Sequence, residues 1–244
     1  MSGIAGIQRV MSGIVLSDGL EVRNRQGRGG RPPRERAGEV DARILAAAQK
    51  AFFEHGLAGA SMDQIASLAG AGKPTIYSRF PNKEALFTAV VMRDIEHTVV
   101  TGIQNYTVTG DTIERRLTNL SSDLLQRILV GDTIGLLRLA VSEARRFPDL
   151  AGRVGGMARA RGAEAVAPLL AEVVSTNETG PVPAFAPERL ATTTRLFQEL
   201  VLMPMVFRAL MGEHLTVLRQ EIAAHVARNV RFFLAGCRHG GIAD

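Results

Sequence analysis

Residues 61–83 read SMDQIASLAGAGKPTIYSRFPNK, and this stretch decides the fold. Ser61 stands where its hydroxyl can accept from the unpaired amides of a new helix. Gln64 lies three residues on, as a capping box requires, and Ile65, Leu68 and Ala69 supply the apolar side. That helix ends at Gly70. A second short helix runs from Lys73 to Phe80, with Pro74 in its first turn, where a missing amide hydrogen costs nothing, and Pro81 stops it. Neither helix can bury much surface alone, so the pair needs a platform to pack on.

The flanks supply that platform. Val40, Ile44, Ala48 and Phe52 fall near one face of a preceding helix that Gly56 closes as a C-cap. Asn82 caps a longer helix carrying Leu86, Phe87, Val90 and Val91. Further along, Ile113, Leu117, Leu120, Leu124 and Ile128 recur at helical spacing, and Leu136, Leu137 and Ala140 continue after Gly131. Leu150 to Val174 is helix-like but carries Gly155, Gly156 and Pro168, which predicts a bent or segmented element. Ser175 to Pro187 reads as a loop, and Glu188–Met211 and Leu215–Cys237 as two long helical stretches. No strand pattern competes. The expected fold is all-α: a basic arm over residues 1–38, a three-helix unit over 39–90, and a larger helical domain over 91–240.

The 244 residues can bury a sizeable core without staples. The single Cys237 cannot pair within the chain, so no oxidising compartment is implied and the cytoplasm is the expected location. No apolar run reaches signal-peptide or membrane length: Gln8, Arg9 and Asp18 interrupt the first, and Leu200 to Phe207 is short and holds Pro204. The net charge of +5 matters less than its placement. Arg23, Arg25, Arg28, Arg31, Arg34 and Arg36 alternate with Gly and Pro, which reads as a flexible basic arm. A solvated tail is the alternative, and Met11 leaves open a second translation start.

Packed on the preceding helix, the two short helices form a helix-turn-helix. On its outer side the second helix offers Lys73, Thr75, Ser78 and Arg79 to phosphates or base edges, while Ile76 and Phe80 anchor it. Tyr77 suits a phosphate contact, because it donates from a stiff side chain. Lys83 adds a charge beside the next helix terminus, which itself favours an anion. Taken singly, Tyr77 could equally be a half-buried core aromatic, and Lys73, Arg79 and Lys83 a solvated face.

The joint order of these residues resembles the TetR family of bacterial regulators over about Val40 to Val91. The lines that carry it are Ile44 to Ala48 with Phe52, His55 and Gly56, then Ser61 to Ala66, Gly70 to Phe80, and Asn82 to Leu86. The resemblance implies sequence-specific, double-stranded DNA binding, with Lys73, Pro74, Thr75, Tyr77 and Arg79 in or beside the major groove and Lys83 on the backbone. Ser61 and Ser78 join this set, and Arg28, Arg31 and Arg34 are candidates for the minor groove. Gly72 departs from the family, which commonly has a Ser or Thr cap there; glycine as N-cap costs only a few tenths of a kcal/mol.

A single such domain touches too few bases, and the usual solution is a symmetric homodimer on a palindromic operator. Leu218, Ile222, Val226 and Phe233 on the last helix, with Met203, Phe207 and Leu210 on the one before, are the candidate dimer face, intramolecular core being the alternative. Leu139 to Leu150 resembles the C-terminal domain of AefR-like TetR regulators, which implies a signal domain without naming its ligand. Phe147, Met157, Leu169, Phe197, Val201 and Met205 are candidate walls for a small, largely apolar effector, though such residues are equally plain core. The expected action is repression released by that effector, with Pro204 as a hinge.

An all-α enzyme or a non-regulatory interaction protein with a basic tail are the rival classes. No catalytic constellation supports the first: His214 and His225 are about three turns apart on one face, and no metal spacing, cofactor loop or nucleophile elbow occurs. No cofactor is expected.

Overall fold

The computed structural model describes residues 34–100, 109–176 and 183–238. Helix α1 (Arg34–Gly59) buries Ile44, Ala48, Ala51 and Phe52, and Gly56 breaks it by adopting φ 68°, as its reading as a cap required. Helix α2 (Met62–Leu68) opens on Ser61, whose Oγ accepts from the Gln64 amide at 3.1 Å. Its end is a Schellman motif: Gly70 at φ 60° lets its own amide reach Ser67 O at 3.1 Å and the Ala71 amide reach Ala66 O at 2.9 Å. The turn to α3 (Lys73–Arg79) is therefore closed by backbone alone.

Helix α3 is pinned by Ile76, which is fully buried. Asn82 Oδ1 then accepts from the Ala85 amide at 2.8 Å and starts α4 (Lys83–Ile95). Phe87 of α4 meets Phe52 of α1 edge-on, centroids 5.3 Å apart, so the two short helices ride on an α1–α4 pair. Beyond Ile95 the same rod continues as a π-helical turn (Glu96–Val100).

The larger part begins with α5 (Ile113–Ile128), capped by Thr112, and α6 (Gly131–Ser142). The long α7 (Pro148–Thr176) follows. Of the expected bent or segmented element, the segmented form is excluded, since the helix runs continuously through Gly155, Gly156 and Pro168. Pro168 is exposed, and buried Val154, Ala165, Val166, Leu169 and Leu170 hold the helix together by packing.

After a short 3₁₀ turn (Pro183–Phe185), α8 (Leu190–Phe197) passes through a π-helical turn (Gln198–Leu202) into α9 (Met203–Leu210), and α10 (Leu215–Arg238) closes the chain. Pro204 accounts for the π turn: it has no amide hydrogen for the preceding turn, so the register widens and Met203 N–H bonds Gln198 O instead. Helix α10 lies along α5, with Leu218, Ile222, Val226 and Val230 buried. Phe233 stacks edge-on with Phe197, centroids 5.0 Å apart. The architecture is all-α, with no strand among the described residues.

Candidate nucleic-acid interface

Helix α3 separates its two sides sharply. Ile76 faces the core, whereas Lys73, Pro74, Tyr77 and Ser78 are exposed, and Thr75 and Arg79 half-buried. Tyr77 keeps 48 % of its surface in solvent, so it is no core aromatic, and its ring and hydroxyl are available to a partner. Ser78 Oγ donates to Thr75 O at 2.9 Å, which leaves its lone pairs outward. Gly72 caps α3 without a side-chain bond; its carbonyl takes the Thr75 and Ile76 amides at 2.9 and 3.1 Å.

Three charged groups have resting partners that the spacing did not reveal. Lys73 Nζ lies 2.6 Å from Asp63 Oδ2, and this hydrogen bond and charge raise the lysine above its usual range. Arg79 pairs with Asp41 of α1, tying the recognition helix to the platform. Lys83 donates to Ala58 O and Ala60 O at 3.0 and 2.9 Å, so two of its three ammonium hydrogens close the end of α1 rather than face outward. Ser61 likewise uses its hydroxyl as the cap of α2. Arg28 and Arg31 lie outside the described residues, and Arg34 opens α1.

A bacterial regulatory protein description, tetR family, matches residues 44–90, and the C-terminal domain of AefR-like transcriptional repressors matches residues 115–237. The chain belongs to the TetR family of transcriptional regulators. Its DNA-binding helix-turn-helix is thus a family feature, and the family is one of regulators, not enzymes. The chain is 38% identical over 89 residues to the transcriptional activator FasR of Mycolicibacterium smegmatis, covering 36% of this chain and 39% of that protein. It is 43% identical over 49 residues to the repressor ComR of Escherichia coli, covering 20% of this chain and 23% of that protein. These matches span well under half of either relative. A TetR-family regulator structure from Mesorhizobium loti aligns with a TM-score of 0.62 at 25% identity, covering 82% of this chain and 97% of that one.

The larger part of this TetR-family chain holds a cavity of about 220 Å³. Its walls come from the end of α4 with its π turn (Ile95, Thr98), from α6 (Thr133, Leu137), and from the π turn after α8 (Gln198, Leu202). Opposite them α7 presents Ala151, Gly155, Ala158 and Gly162. Spaced four, three and four apart, these fall on one face, and the room exists because they carry so little side chain. A Cβ on Gly162 would collide with Gln198 Nε2, which donates to Arg159 O at 3.1 Å.

None of the expected pocket residues lines this cavity. Leu169, Phe197, Val201 and Met205 are buried core, and Met157 packs half-buried against it. Phe147 belongs to a separate hollow beside the first turn of α4, with Arg146 over its ring at 5.4 Å. Bulky apolar residues fill space; a cavity opens where they are missing.

The residues expected to face a second copy divide between core and surface. Leu218, Ile222, Val226 and Phe233 are buried within their own chain. Leu210 lines the cavity, as does Met203. Met203 remains 39 % exposed and Phe207 60 %, and Met211 (71 %) and Phe232 (70 %) extend the exposed apolar set. Among the described residues, no helix is long and apolar enough to cross a membrane.

Proposed function

We propose that this regulator is a cytoplasmic repressor that binds a palindromic operator as a homodimer and is released by a small, largely apolar effector. The carrying observation is α3 itself: Tyr77, Pro74, Thr75, Ser78 and Lys73 stand on one outward side, while buried Ile76 fixes the helix to its platform. Such a helix fits the major groove, with Lys73 and Arg79 exchanging their carboxylate partners for phosphates. Residues 39–90 would read DNA, residues 91–240 hold the effector and the dimer contact, and Arg28, Arg31 and Arg34 reach an adjacent minor groove. Lys83 would have one ammonium hydrogen left for a phosphate.

Exposed Phe207, Met211 and Phe232 support the homodimer, because a lone chain gains nothing from leaving large apolar side chains in water. The cavity supports effector release because its α6 wall is also tied to the DNA-binding unit. Gln49 Nε2 of α1 donates to Asp132 Oδ2 of α6 at 3.2 Å, and Arg93 of α4 bonds Gln49 Oε1 at 2.7 Å. One turn on, Gly135 of α6 gives Phe53 of α1 its seat: a Cβ there would meet the ring at 3.0 Å. A ligand that moves α6 therefore moves α1 and α4, and with them the spacing of the two recognition helices in a dimer.

The test is operator affinity of the full chain, before and after Tyr77→Phe. The exposed hydroxyl has a phosphate to lose and no fold to support, so affinity falls several-fold, about 1 kcal/mol, with the melting temperature unchanged. Unchanged affinity would remove Tyr77 from the interface. Activation is the second reading, favoured by the relative FasR, a transcriptional activator.

A further inference from the structure

The cavity lining is apolar along most of its extent, but its polar groups fall into two sets. On the α4 and α6 side of the lining stand Thr98 and Thr133, both buried, with Thr133 beside Asp94. On the α7 and α8 side Arg159 and Arg195 line the wall together with Gln198 and Glu199. Arg159 Nη1 lies 3.4 Å from the point a Gly155 Cβ would occupy, so its guanidinium folds over the small face of α7.

Neither Arg159 nor Arg195 makes an ion pair among the described residues, in a chain where Arg79, Arg115, Arg116, Arg127, Arg161 and Arg208 all do. With Glu199 as the only acid on the lining against these two arginines, this side of the cavity carries a net positive charge. Guanidinium groups bind carboxylates through paired, charge-assisted hydrogen bonds.

We propose that the effector is an amphipathic anion. Its apolar body occupies the space over Ala151, Gly155 and Ala158, and its single carboxylate, or an oxyanion of like charge, is held by Arg159 and Arg195. This rests on the reading of the cavity as the effector site and adds the charge of its ligand.

The test measures binding of decanoate, 1-decanol and decylamine to the full chain by calorimetry, below micelle-forming concentrations. The same titrations are run on Arg159→Gln/Arg195→Gln and on Gly155→Leu. The expected result is that decanoate binds at least tenfold more tightly than 1-decanol, and decylamine least well. The arginine double variant equalises decanoate and 1-decanol without weakening the alcohol, and Gly155→Leu, which fills the cavity, abolishes both. Both arginines are exposed, so the double variant keeps its fold, as its circular dichroism will report. Equal binding of the three probes, tighter binding of the amine, or a carboxylate preference that survives in the double variant overturns the proposal and leaves the cavity reading standing. If no probe binds, or if Gly155→Leu binds them all as before, the cavity reading falls and the proposal with it.

Discussion

Lys73 on the recognition helix is held by Asp63 on the helix before it, Nζ to Oδ2 2.6 Å, across the glycine turn that joins them. Both side chains are more than half exposed, so solvent screens the pair and it contributes little to stability. Its consequence lies in binding. The free protein has already neutralised a charge that a phosphate would use, and an approaching duplex must compete with a carboxylate for it.

Asp63→Asn therefore strengthens binding to any duplex several-fold and steepens its salt dependence, while the melting temperature hardly moves. Fluorescence anisotropy across a salt series checks this, because a freed lysine adds about one released counterion to the slope. A weaker complex with a shallower slope would mean that Asp63 orients Lys73 rather than restrains it.

The turn between the helices depends on Gly70 at φ 60°. A Cβ there would meet open space, so Gly70→Ala costs only the backbone penalty of a left-handed residue, about 1–2 kcal/mol. Gly70→Asn costs less, since Asn enters that region more readily. Thermal melts of the two variants should rank Gly, Asn, Ala in falling stability; an Ala variant as stable as the parent would remove the Schellman account of the turn.

The exposed apolar set on α9 and after it gives the third expectation. Phe207→Glu with Met211→Glu places two charges on side chains that are 60 % and 71 % exposed within the chain, so the folded protomer keeps its helix content. Sedimentation should show a monomer, and operator binding should fall by at least the affinity that joining two half-sites confers. A dimer that survives both substitutions would place the interface elsewhere. Leu218→Glu would instead unfold the chain, because Leu218 is fully buried against α5.

Cys237 is 2 % exposed, and burial pushes its thiol up to about 11. The folded chain thus holds the neutral thiol after the unfolded one has begun to ionise near about 8.5. This contribution is complete below that value and is lost as pH rises towards about 11. The stability difference between the parent and Cys237→Ala should therefore shrink between about pH 8 and pH 11 in urea melts. A difference that grows with pH would contradict the burial.

The helix-turn-helix was legible in the sequence because its determinants are local. Ser61, Gly70, Pro74 and Asn82 act on backbone groups within a few residues, and each stands where the structure uses it. The roles of Lys83 and Lys73 were not legible, since their partners lie 23 to 25 and 10 residues away and only folding brings them close. Periodicity showed that Leu218, Ile222 and Val226 form a buried stripe, but it cannot tell whether a neighbouring helix or a second copy buries it. The cavity was missed for the opposite reason. Its decisive residues, Ala151, Gly155, Ala158 and Gly162, announce themselves only by volume they lack, and that registers once α7 is packed. Pro168 and the two glycines predicted a bent or segmented element at α7, and the segmented form failed because their local cost was counted without the packing that keeps the helix continuous.

The central claim is that α3 reads a defined DNA sequence, and a competition measurement tests it most directly. A duplex recovered by selection from random sequence is bound to the full chain at physiological salt and displaced by its scrambled counterpart. The account predicts a palindromic duplex that outcompetes the scrambled one by about 10³-fold or more, with Tyr77→Phe weakening it several-fold. A scrambled duplex that displaces the selected one at equal concentration would contradict it.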